Sequence, residues 1–178
     1  APPLRGETRH TPLPTGIASV DRLLRGGFPR GQMSEVHGPA SSGRTGLLAG
    51  LVAQTTRAGA LGAWVDPGDR FDPASAAAAG ALLARLLWLR GRRGVEAEAR
   101  AIGEATAALA TVLDSGLFAV VVFDLAGLPA RELRRLPTTT WIRLQRAVAP
   151  TTSALVLLAD AHVATSPLGA SLALPAQG

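Results

Sequence analysis

The stretch Gly38-Pro39-Ala40-Ser41-Ser42-Gly43-Arg44-Thr45 sets two glycines, a cation and a hydroxyl at the spacing G-x-x-x-x-G-[basic]-[ST]. This is chemistry for phosphate. Gly38 and Gly43 let successive backbone N–H groups curl around an anion, and Ser41 and Ser42 add hydroxyls. The helix expected after Gly43 turns its positive end toward the same point. Thr45 is the residue type that offers a hydroxyl to Mg²⁺. Asp124, about 80 residues downstream at the end of an apolar run, is the carboxylate type that holds such an ion. Arg44 stands where the pattern has lysine. Arginine keeps the charge but is longer, planar and suited to a bidentate fork, so the swap alters geometry where positioning carries most of phosphoryl transfer. Nucleotide binding is therefore expected to be weak or lost, with no resident cofactor and ATP with Mg²⁺ held weakly at most.

A loop of this kind works only between a strand and a helix, and the flanking pattern supplies both. Short β-type runs at residues 32–37, 60–66, 85–90, 117–123 and 153–159 alternate with helical segments at 18–25, 45–58, 95–113 and 140–148. Leu47, Leu48, Leu51 and Val52 form an apolar stripe on the helix after the loop. The alanine-rich SAAAAGALLA at 75–84 reads as a buried helix. The run LFAVVVF, continuous and β-branched, fits a strand covered on both faces. The fold class expected is α/β, a mostly parallel, doubly wound sheet flanked by helices. Residues 1–14 are proline-rich and aperiodic and read as an arm, leaving 15–178 as the domain.

With 178 residues, 47% apolar and 17% charged, the chain can bury a core without staples. The absence of cysteine removes disulfides, thiolate nucleophiles and Cys-based zinc sites together. No apolar run approaches the roughly 20 residues of a membrane helix, and no basic-then-apolar leader opens the chain, so an intracellular protein with no membrane partner is expected. The net charge of +5 permits an acidic partner, but all 18 basic residues are arginine, which is the signature of GC-rich codon drift.

Read together, TGIASVDRLLRGGFPRGQMSEVHGPASSGRT, GAWVDPGDRFDP and FAVVVFDL resemble, in order, the opening segment and phosphate loop, the second strand and the metal-carboxylate strand of the RecA family. The resemblance spans nearly all of residues 15–159 and implies a RecA-like core. Two departures stand out. Gly68 falls where the family's recombinases carry the glutamate that activates water, with Asp69 as a displaced substitute, and Asp160 falls where the family has a polar sensor, glutamine. With the SSGRT loop and the VVFDLAGLP strand, the chain looks most like the ImuA branch. That resemblance implies a catalytically degenerate adaptor in the bacterial cytoplasm, at the nucleoid. It would act in SOS mutagenesis and translesion DNA synthesis beside a Y-family polymerase-like protein of the ImuB type, an error-prone replicative-type polymerase and RecA itself. The family continues past residue 159 with further strands and a tail, so this chain reads as truncated or as lacking the tail.

Arg131, Arg134 and Arg135 lie where the family places a DNA-contacting loop; they read either as phosphate contacts or as a solvated helix face. Arg90, Arg92 and Arg93 form a similar cluster in a turn, and Trp64, Trp88 and Trp141 sit in apolar surroundings suited to a core. His10, His37 and His162 are too far apart in sequence to show metal-ligand spacing, and His37 is expected to pack at a strand end. Two other readings stay open: a working RecA-like DNA-dependent ATPase in which Asp69 replaces the glutamate, and a single-strand DNA-binding module.

Overall fold

A computed structural model of the chain describes residues 10–91, 98–164 and 169–176. Six strands, β1 (Gln32–His37), β2 (Leu61–Asp66), β3 (Leu86–Arg90), β4 (Phe118–Asp124), β5 (Ala154–Ala159) and β6 (Ser171–Ala173), form one sheet in the order β3-β2-β4-β5-β1-β6. Every pairing between them is parallel. Helices α1 (Ala18–Leu23), α2 (Arg44–Arg57), α3 (Pro73–Ala78), α4 (Glu98–Asp114), α5 (Ala130–Arg135) and α6 (Thr138–Val148) make the connections. The chain is therefore α/β with a wholly parallel sheet.

Side-chain alternation along the strands divides the core in two. Val121 and Phe123 of β4 join Leu155 and Leu157 of β5 beneath α4 and α6, where Ile102, Leu109, Trp141 and Leu144 are buried. Val120, Val122, Val156 and Leu158 face the other way, onto Leu47, Leu48, Leu51 and Val52 of α2 and onto Trp64. This explains the unbroken apolar run of β4, since neither of its faces meets water. Trp64 and Trp141 are buried as the sequence suggests, while Trp88 on the edge strand β3 is half-buried and packs its ring against Phe71.

The sequence pattern misplaces four features. The alanine-rich segment is not one buried helix: α3 ends at Ala78, Gly80 takes φ +95, and Leu83–Arg85 is a single 3₁₀ turn. Of α3 only Ala76 is buried, because a run of alanines carries no periodicity to say which face packs. The loop after Asp124 contains a short helix, α5. β6 has too few residues for a pattern, and only its hydrogen bonds to β1 define it. Leu13, in the stretch expected as an arm, is buried and exchanges two 2.8 Å backbone bonds with Phe28. Of the segment expected as a helix over 95–113, residues 95–97 lie outside the described residues, as do Arg92 and Arg93.

The Thr-Gly opening has a structural purpose. Asp21 accepts from Thr15 N and Thr15 Oγ1, both at 2.7 Å, and from Gly16 N at 3.1 Å, folding the opening segment back on α1. Asp21→Ala leaves these donors without a partner and is expected to lower unfolding stability by about 1–3 kcal/mol. Urea denaturation checks this, with Asp21→Asn retaining part of the loss.

Candidate functional site: the phosphate loop and its carboxylates

The order β4-β5-β1 brings three strand ends together. His37 lies opposite Ala159, and Asp124 opposite Leu158, so the loop after β1, Asp124 and Asp160 occupy one carboxyl edge of the sheet. Ligands of open parallel sheets bind at such an edge. Gly38 is required by close approach: a Cβ there would stand 2.3 Å from the Leu174 carbonyl. Gly43 is required by its left-handed φ of +84, which turns the chain into α2. Ser41 accepts a positive φ as well. The loop therefore has the curled backbone its sequence promises.

Arg44 opens α2, is buried, and extends Nη2 to Asp160 Oδ1 in an ion pair. The other oxygen of Asp160 accepts from Gly127 N at 2.9 Å, which ties the turn after β4 to the same carboxylate. The arginine that replaces lysine and the aspartate that replaces the glutamine sensor are thus in contact. Two polar atoms of the loop, Arg44 Nη1 and Ser42 Oγ, are buried with no hydrogen-bond partner. Both are donors in the loop to which the sequence assigns phosphate. Thr45 is exposed at the start of α2, so its hydroxyl is accessible.

Asp124 is buried between Trp64 Nε1 and Ala126 N, which donate to it at 3.1 Å each. Burial pushes its carboxyl up to about 6; the two donors and the charge of Arg44 oppose the shift, and Asp66 adds to it. Asp66 itself accepts from Arg70 N at 3.0 Å, from Phe71 N at 2.8 Å and from Trp88 Nε1 at 3.2 Å, and so shapes the turn after β2.

In that turn, Gly68 has ordinary surroundings. A Cβ would meet its nearest neighbours, Arg70 and Leu128, at 3.5 Å, and no positive φ demands glycine. A Cβ is tolerated at this position, so glycine is not imposed by the backbone. Asp69, the displaced alternative, takes φ +51 and gives both carboxylate oxygens to Arg90, at 2.8 and 3.2 Å. Arg90 also lies over the Trp88 ring, 4.3 Å from its centroid.

The loop amides, Ser42 Oγ and Arg44 Nη1 are the groups that would meet the phosphates of a Mg²⁺-bound nucleotide, the last two being buried without a partner. Thr45 and Asp124 would hold its metal. No carboxylate at position 68 is there to activate water. The suggested DNA-contacting cluster is exposed on α5, but Glu132 within it pairs with Arg131 at 3.2 Å and Arg135 at 3.1 Å, which reduces its net charge. One grouping escaped the sequence reading: Glu35, His37 and His162 converge beneath the loop, although their spacing in the chain gives no hint of it. The signal that could have found part of it is the E-x-H period of β1, which sets Glu35 and His37 on one face.

A parallel sheet with a strand–Gly-rich loop–helix unit at its carboxyl edge and an aspartate on a neighbouring strand end defines the class of phosphate-loop α/β domains. Residues 6–132 match the family model of the RecA N-terminal domain. Protein RecA of Streptococcus thermophilus is 34% identical over 124 residues, covering 67% of this chain and 30% of that protein. Protein RecA of Prochlorococcus marinus (strain MIT 9303) is 42% identical over 75 residues, covering 42% of this chain and 20% of that protein. The chain belongs to the RecA family, and it spans between 20% and 30% of the length of these two relatives. Among the described residues, no helix is long and apolar enough to cross a membrane.

The raised Asp124 carboxyl makes a pH prediction. Between its ordinary value of 3.8 and about 6 the folded state holds a proton that the unfolded chain has released, so this group favours folding at low pH. That contribution fades as pH rises through 6. From pH 5 to 7 the loss is about 1 kcal/mol. Urea midpoints across this range should show a steeper fall for the native chain than for Asp124→Asn, which carries no titrating proton there.

Proposed function

We propose that the chain is a catalytically degenerate RecA-like adaptor of the ImuA type, acting in DNA-damage-induced mutagenesis by protein contacts with a translesion polymerase complex. The observation that carries this reading is the Arg44–Asp160 ion pair. In a nucleotide-hydrolysing site the loop cation meets the phosphates, and the residue at the end of the neighbouring strand reports their state. Here these two positions neutralise each other. Gly68 supports the same reading, since its backbone does not require glycine and no carboxylate stands there, and Asp69 is turned to Arg90. The partners that accompany this reading are an ImuB-type Y-family polymerase-like protein, an error-prone replicative-type polymerase and RecA; they rest on the ImuA resemblance. So does a place in the bacterial cytoplasm at the nucleoid.

A second reading, a working DNA-dependent ATPase, draws on the unpartnered Ser42 Oγ and Arg44 Nη1, which could both donate to a phosphate. Steady-state ATP turnover with and without single-stranded DNA separates the two. The adaptor shows turnover at background in both conditions, and DNA-stimulated turnover at a recombinase's rate would overturn it. The native chain should gain little thermal stability from millimolar Mg²⁺-ATP. Arg44→Lys combined with Asp160→Gln, which frees the loop cation, should gain more. Adding Gly68→Glu to that pair tests whether hydrolysis returns.

A further inference from the structure

Glu35 is a carboxylate with no exposure at all, the fourth of the six residues of β1. Its Oε1 accepts from Val163 N at 2.7 Å, which leaves Oε2 as the free end. Oε2 lies 2.5 Å from Nδ1 of His162, yet the two are not aligned as a hydrogen bond, and Oε2 has no hydrogen-bond partner. An ionised oxygen buried in this way is costly unless a cation shares it. His37, two residues on and so on the same face of β1, brings its ring centroid to 5.6 Å from that of His162. One ligand atom from each of the three side chains lies within 4.8 Å of the others.

We propose that Glu35 Oε2, His37 and His162 form a binding site for Zn²⁺ beneath the phosphate loop. Two imidazoles and one carboxylate are a donor set that zinc takes with a fourth position left to water. Bonds of about 2.0–2.1 Å at tetrahedral angles separate ligand atoms by roughly 3.4 Å. To admit the ion, the 2.5 Å contact between Glu35 Oε2 and His162 Nδ1 must widen toward that value, and the His162 side chain, 52% exposed, has room on its solvent side to turn and gives the metal an open approach. The Val163 N–H bond to Oε1 fixes the carboxylate in the orientation a ligand needs, as outer partners do at metal sites. Bound there, zinc joins the end of β1 to the segment leaving β5, directly before Gly38, and stiffens the base of the loop. The site uses none of the groups in the phosphate-loop reading and stands whether or not nucleotide binds.

The composition makes the test clean: the chain has three histidines and no cysteine, so His10 is the one histidine outside the site. The full chain, stripped with a chelator, is titrated with Zn²⁺ by calorimetry and with Co²⁺ by visible absorption, without nucleotide. The expected result is saturable binding of one ion per chain, the d–d bands of low-coordinate Co²⁺, and a rise in Tm on adding Zn²⁺. His37→Ala and His162→Ala should each weaken binding by at least ~10-fold, the loss that even an outer-partner change can cause. His10→Ala should leave it unchanged. Glu35→Gln is the less informative variant, because it disturbs a buried residue. If no saturable binding is found, Glu35 Oε2 and His162 are partners only to each other and the proposal fails. It fails equally if binding survives both site variants.

Discussion

Charge at the carboxyl edge of a fully parallel sheet is the constraint around which this molecule is arranged. The strands end where loops close over them; Asp66, Asp124 and Glu35 lose water there and must find donors or a cation, while Asp160 stays half-exposed. Each does so differently. Asp66 takes two backbone N–H groups and the Trp88 indole; Asp124 takes the Trp64 indole and one N–H. Asp160 takes Arg44 and the Gly127 N–H, and Glu35 takes the Val163 N–H and lies against His162. These partners set the turns after β2, β4 and β5, and with them the shape of the space above the phosphate loop.

The Arg44–Asp160 pair changes the weight of two substitutions that look independent in the chain. In a protein whose basic residues are all arginine, Arg44 alone is explained by codon drift and says little about function. The all-arginine composition concerns basic residues alone and does not bear on Asp160. Arg44 and Asp160 are in contact, a cation and an anion satisfying each other beside the loop, and the proposed loss of hydrolysis rests on that contact. Arginine suits this arrangement better than lysine, since its guanidinium is weakly hydrated and can pair with one group while a second nitrogen remains available. Nη1 is that second nitrogen, buried and unpartnered, as Ser42 Oγ also is.

Much of the scaffold was legible because it depends on local pattern. The β-branched run of β4 and the apolar stripe of α2 identify a covered strand and the helix that covers it. The spacing of Gly38 and Gly43 identifies the loop between another strand and that helix. What failed to show was wherever pattern is weak or absent. The alanine run gives no face, so its exposed half could not be told from a buried one. β6 is too short to alternate and exists through its bonds to β1. Leu13 reads as part of a proline-rich arm, and only its pairing with Phe28 makes it core.

The same division holds for the candidate site. Sequence alone determined the phosphate-loop geometry, the family, and the departures at Arg44, Gly68 and Asp160, because each is a residue type at a fixed distance along the chain. Tertiary structure alone decided that Arg44 meets Asp160, that Asp69 turns to Arg90, and that Glu35 and His37 lie beside His162. The contacts of Arg44 and of the Glu35–His37–His162 group join residues from β1, the head of α2 and the segment after β5, which are neighbours only because the sheet order is β4-β5-β1, while Asp69 meets Arg90 because β3 lies beside β2. Separation along the chain carries no trace of that order; hydrogen bonding between strands and burial of both sheet faces impose it.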